Sequence, residues 1–292
     1  MTTPATARNT TAHQSGNPSA RRRAVSLSFG GILVSELIKL WTLRSTVWCC
    51  AIVVALAFGI GLMIGLFSGS AQGTMPNAAQ QTQAAFDATI GILFGQLVLS
   101  VLGVLVVSGE YGTGMIRSTL TAVPKRIPAL LAKAIVLAVT AFVLGLVTIY
   151  GTALIQLPLL SNVGIHTNFA DPKLNLALLG GAAYLALIAL MSFGIGAIIH
   201  SSAGGIATAL GVLLVLPTVL QIFAAVTQAT WVQNVAGFLP TNAGGHLFTY
   251  GSEASTTAGV ISLNATLGGL VLVAWAAVAI VVAAILLRRR DA

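Results

Sequence analysis

The chain has 292 residues, of which 57% are hydrophobic and only 7% charged, with a formal net charge of +8. Soluble domains carry about 25% charged residues, so this composition excludes an ordinary globular domain. The basic excess lies in short runs beside apolar stretches, where it meets lipid headgroups, and not in a patch suited to nucleic acid.

Residues 1–27, rich in Thr, Ala, Ser, Asn and Pro, read as a disordered cytoplasmic tail. Arg21-Arg22-Arg23 resembles the start of a twin-arginine leader, but Glu36 and Lys39 soon interrupt the apolar run and no small-residue cleavage site follows. The tail is therefore expected to be retained, ahead of a single domain over 28–292. Segment 30–45, "GGILVSELIKLWTLRS", has amphipathic helical spacing. Leu33, Val34, Leu37, Ile38, Leu40 and Trp41 share one broad face. Ser35, Glu36, Lys39 and Thr42 share the other, which is expected to face the cytoplasm, with Glu36 and Lys39 close enough to pair. Such a helix is either a surface anchor or an element offered to a cytoplasmic partner.

Stretches 45–86, 88–109, 134–170, 174–252 and 254–287 contain no Lys, Arg, Asp or Glu. Roughly 20 apolar residues cross a hydrocarbon core, so the chain reads as an all-α membrane protein with six spans. They are placed at 46–67, 89–108, 131–157, 174–199, 205–226 and 266–287. Pro158 is expected to stop the third and Pro217 to kink the fifth, and "HSSAGG" from His200 to Gly205 separates the fourth from the fifth. The adjacent Cys49 and Cys50 fall inside the first span and match no disulfide framework or zinc spacing. Thirteen of the fourteen Lys and Arg residues lie before span one, between spans two and three, or after span six, and only Lys173 lies opposite. That asymmetry puts both termini in the cytoplasm.

The loop at 109–130 begins "GEYGTGMIRSTLTAVPKR". Gly109, Gly112 and Gly114 around Glu110 are expected to end the second span. Thr113 would cap a short surface helix and Pro124 close it. Met115, Ile116, Leu120 and Val123 fall on one arc of that helix, with Arg117, Ser118 and Thr121 opposite. Lys125, Arg126 and Lys133 would anchor the start of the third span. Topological anchoring alone and a docking role both remain open on this pattern. Residues 227–265 carry one charge, Glu253, which is apolar for a solvated external loop of that length.

Together, "SELIKLWTLRST", "GEYGTGMIRSTLTAVPKRIPALLAKA" and "FLPTNAGGHLF", in that order and placement, resemble the permeases of type-2 ABC transporters, over nearly the whole chain from Phe29. The resemblance implies six spans, an amphipathic first helix, a cytoplasmic coupling helix between spans two and three, and short external or re-entrant helices before span six. It implies a plasma-membrane subunit that pairs as a homodimer or heterodimer and binds two copies of an ATP-binding subunit. Contacts to that subunit would come from Glu36, Lys39, Glu110, Thr113, Arg117, Leu120, Pro124 and Arg126. Gly112 and Lys133 also match the family's loop pattern.

None of the four lysines follows a glycine, so the chain has no phosphate-binding Gly-Lys-Ser/Thr loop. ATP and magnesium would then belong to the partner, with no cofactor in this chain. HExxH and Gly-x-Ser-x-Gly motifs are also absent, and enzymatic activity is not expected. Few ionisable groups fall within the spans, which weighs against a proton-coupled carrier. A stand-alone carrier or channel, or a non-transporting scaffold or immunity protein, remain the other readings. Scattered Gln96, Gln156, Asn175 and Gln221 suit an amphipathic small molecule, lipid or peptide as cargo.

Overall fold

The computed structural model describes residues 28–67, 75–112, 114, 126–252 and 259–289. All regular structure among them is helical. Six helical stretches are long and apolar enough to cross a membrane. Helix α1 (Phe29–Thr42) leads into α2 (Arg44–Phe67). Next come α3 (Asn77–Thr89), α4 (Ile92–Gly112), α5 (Arg126–Asn162) and α6 (Pro172–Ile199). A broken fifth stretch combines α7 (Ser202–Leu210), a π-turn at Gly211–Val215 and α8 (Leu216–Thr227). Two short helices, α9 (Thr230–Gly237) and α10 (Pro240–Gly245), and a 3-10 turn at His246–Phe248 precede α11 (Ala265–Arg289). The expected tail, the docking helix at 113–123 apart from Gly114, and Glu253 lie outside the described residues.

Helix α6 is the centre of the bundle: 67% of its apolar window is buried, against 22% for α2 and 17% for the α7–α8 stretch. Helices α4, α5 and α11 pack directly on it, α2 packs on α5 and α4, and α7 fills the angle between α4 and α6. Without a hydrophobic drive between helices in lipid, such contacts depend on small residues and internal hydrogen bonds. Both occur where α4 meets α6. Gly103 lies directly against the Ala189 carbonyl, and Gly196 packs on Val104. One turn away, Ser100 and Ser192 share a buried 2.8 Å hydrogen bond. Elsewhere, Gly61 and Gly65 face Thr152 and Leu159 of α5, and Gly91 faces Ala57 of α2. Replacing Ser100 by Ala should cost about 1 kcal/mol by leaving the Ser192 hydroxyl without its partner. The Ser100→Ala/Ser192→Ala double variant should lose less than the sum of the two singles. Thermal unfolding in detergent across the four-protein cycle measures this.

Several boundaries differ from the sequence reading, each for a local reason. The second span was expected to end at Ser108, but α4 continues through Gly109 and Glu110 to Gly112. The third was expected to stop at Pro158, yet α5 runs on to Asn162. Proline removes only one hydrogen bond there, a turn before the helix ends. Leu160 then buries itself against Ala84 and Ile165, which holds that last turn. At 37 residues, α5 is about 55 Å long, far more than a hydrocarbon core of about 30 Å requires. Helix α3 was missed because Gln80, Gln81, Gln83 and Asp87 lower its hydropathy. It is fixed instead by polar stitching: Gln81 donates to the His166 carbonyl at 2.9 Å and accepts from the Asn168 N–H at 3.0 Å.

The break between the fourth and fifth stretches falls at His200, in the left-handed region with φ 57°. Ser201 caps the next helix. The disturbance expected at Pro217 appears as the π-turn just before it. Proline cannot donate to the Leu213 carbonyl, and the Thr241 hydroxyl does so from α10 at 2.9 Å.

Candidate functional site

Four of the described charges, Glu36, Lys39, Glu110 and Lys133, gather where α1, α4 and α5 meet. Helix α1 begins at Ser28, whose hydroxyl accepts from the Gly31 N–H at 3.1 Å, and ends at Leu43, which leaves helical geometry just before α2 starts. Ile32, Glu36 and Leu40, at four-residue spacing, are its buried residues. The sequence reading turned Glu36 outward with the polar face. The structure does the reverse: Glu36 is 4% exposed, whereas Val34, Ile38 and Trp41 are more than half exposed. Most of the apolar face of α1 is thus the outer one, with Leu40 turned in, and the carboxylate also turns in to meet a cation.

That cation is Lys133, in the second turn of α5. Its Nζ donates to Glu110 Oε1 at 2.6 Å and lies 2.9 Å from Glu36 Oε2. Lys39 Nζ donates to Glu36 Oε1 at 2.7 Å and approaches Glu110 Oε1 at 3.6 Å. The four groups form a closed ring of alternating charge whose formal sum is zero. Burial alone would raise the Glu36 carboxyl; Lys133 and Lys39 outweigh it and hold the group below its ordinary value. Burial alone would lower the Lys39 ammonium, and Glu36 and Glu110 together leave it raised. Both shifts favour the charged forms. A ring of this kind adds little net stability over an apolar core, but breaking it strands a buried charge.

Beside the ring is a cavity of about 330 Å³ with walls from Leu40, Leu105, Val106 and Val136. Lys39, Glu110 and Gly109 also line it. Glu110 Oε2 is buried and has no hydrogen-bond partner. Of the residues expected to contact a partner, the structure therefore brings Glu36, Lys39 and Glu110 together. Arg126 opens α5, and its side chain is not described. Thr113, Arg117, Leu120 and Pro124 lie outside the described residues. Lys133 was read as an anchor at the start of the third span and is instead 7% exposed at the heart of the ring. The available signal was its isolation: a lysine followed by 37 uncharged residues needs a carboxylate nearby.

A second polar cluster sits among α2, α3 and α5, near the other end of the bundle. Asp87 is fully buried, with Gln83 donating to Oδ1 at 2.8 Å and no partner for Oδ2. Gln156 donates to the Gly61 carbonyl at 2.9 Å and the Asp87 carbonyl at 3.2 Å, while its own Oε1 lacks a donor. Among the described residues, no group of three His, Cys, Asp or Glu side chains could hold a metal ion.

Among the described residues, six apolar helical stretches, five of them around a buried sixth, define a multi-pass α-helical membrane protein. Against known proteins, the chain matches no family model and no curated sequence.

Proposed function

We propose that this chain is the permease subunit of a type-2 ABC transporter, exporting an amphipathic small molecule, lipid or peptide with energy from a separate ATPase. The observation that carries this reading is the ion ring, because Glu110 and Lys133 sit at the two helix ends that flank segment 113–125. A force applied to that segment would act on α4 and α5 directly and on α1 through Glu36. The contact surface would include Lys39, Thr113, Arg117, Leu120, Pro124 and Arg126, with the expected contacts Glu36 and Glu110 buried behind it in the ring. Two ATPase subunits carrying ATP and magnesium would dock on a permease dimer, with the ring facing the cytoplasm of the plasma membrane. The short helices α9 and α10 would lie on the external side or re-enter the bilayer.

The test is reconstitution with the candidate ATPase. Reversing charge at both Arg117 and Arg126 is expected to abolish substrate-stimulated ATP hydrolysis while membrane insertion stays intact. If hydrolysis and export both persist in that variant, the dock is misassigned. A stand-alone carrier is the second reading, favoured by the buried, half-satisfied Asp87. It requires transport by the chain alone in liposomes, and that transport should fall on Asp87→Asn.

A further inference from the structure

We propose that the cavity beside the ion ring is a binding site for a phospholipid with a primary-amine head, a phosphatidylethanolamine. Its walls are aliphatic: Leu40 and Leu43 from the α1 end, Leu105 and Val106 from α4, and Val136 from α5. At about 330 Å³ it falls within the range of small-molecule sites, roughly 300–1,000 Å³. An acyl chain suits such walls, and the cavity lies between the ends of α1 and α4 and the start of α5.

The polar groups choose among lipid heads. Lys39 has three N–H donors; one goes to Glu36, the approach to Glu110 is too long for a second good bond, and the side chain is 35% exposed. It can therefore donate to a phosphate oxygen, with the Ser45 hydroxyl on the same cavity lining. Glu110 lines the cavity too. Its Oε1 is taken by Lys133, and Oε2 is screened from water with no donor. A buried carboxylate oxygen left so is costly, and a small turn of the Glu110 side chain, which lines the cavity, would bring Oε2 to an occupant with N–H groups and remove the deficit. Because the ring is already neutral, a zwitterionic head adds no net charge, whereas an anionic lipid would set an unbalanced charge near two carboxylates. The phosphate and ammonium of one ethanolamine head are neighbours, as Lys39 and Glu110 are. A choline head has the same charge but no N–H to offer Oε2.

The experiment is native mass spectrometry of the full-length chain in detergent, titrated separately with palmitoyl-oleoyl phosphatidylethanolamine, phosphatidylcholine and phosphatidylglycerol. Phosphatidylethanolamine should bind about tenfold more tightly than phosphatidylcholine, the worth of one charge-assisted hydrogen bond. Gly109 supplies the control, since a Cβ built there meets no atom within 4 Å. Gly109→Leu puts a side chain into the cavity from a position where its Cβ displaces no atom, so it should erase the preference while leaving the melting temperature near that of the parent. Equal binding of the ethanolamine and choline lipids overturns the proposal, as does a preference that survives Gly109→Leu. Tighter binding of phosphatidylglycerol overturns it too, by making the site one for anionic lipid. The readout needs no ATPase and does not rest on the transporter reading.

Discussion

Replacing Lys133 by methionine is expected to cost about 3–5 kcal/mol, the largest loss from any single charge removal among the described residues. Methionine keeps most of the side chain's length, so packing changes little. What changes is that Glu36 and Glu110, both nearly buried, lose their shared cation. Lys39 cannot take over, because it approaches from the exposed side and reaches Glu110 only at 3.6 Å. Lys39→Met itself should cost about 1 kcal/mol or less, since its side chain is part-solvated and Glu36 retains Lys133. The Glu36→Gln/Glu110→Gln/Lys133→Met triple variant should recover much of the loss, because no ion is then left unpaired. Thermal unfolding followed by size exclusion in detergent orders these variants. A Lys133→Met protein as stable as the parent would show that the ring is not closed in solution.

The second large effect is expected at Gly103. A side chain there meets the Ala189 carbonyl and, 3.1 Å away, the Phe193 nitrogen, both on the central helix α6. Neither is the mobile end of a side chain, so relief requires α4 and α6 to separate. Gly103→Val should cost about 3 kcal/mol, the upper end for overpacking, and should reduce the yield of monodisperse protein. Gly109→Ala, on the same helix two turns later, has no atom to displace and should be neutral or stabilising by about 0.5–1 kcal/mol from helix propensity. Equal behaviour of the two variants would mean that the α4–α6 contact is looser than described.

The sequence spacing captured what depends on long apolar runs. All six spanning stretches, the separation at His200 and the disturbance before Pro217 follow from hydropathy and from Gly and Pro positions. It failed where a polar residue faces inward. Glu36 was turned outward because amphipathic projection assumes water on the polar side, whereas α1 has apolar residues outside and Lys133 inside. Helix α3 was passed over because Gln81 and Asp87 make it look like a loop, although both are buried and hydrogen-bonded. For the candidate site, the pairing of Glu36 with Lys39 was legible at three-residue spacing. The links to Glu110 and Lys133 were not, because they join residues far apart in the chain through helix packing.

The ring also has a consequence for biosynthesis. A ribosome releases α1 before either of its distant partners has been made, so Glu36 first has only Lys39 to neutralise it. At roughly 5–20 residues per second, several seconds pass before Lys133 emerges, and until then α1 cannot bury its carboxylate. The nascent segment must stay wetted at the bilayer surface while later hairpins are threaded, and it settles into place only after the cation arrives. Closure of the first helix is thereby timed by synthesis of the third span.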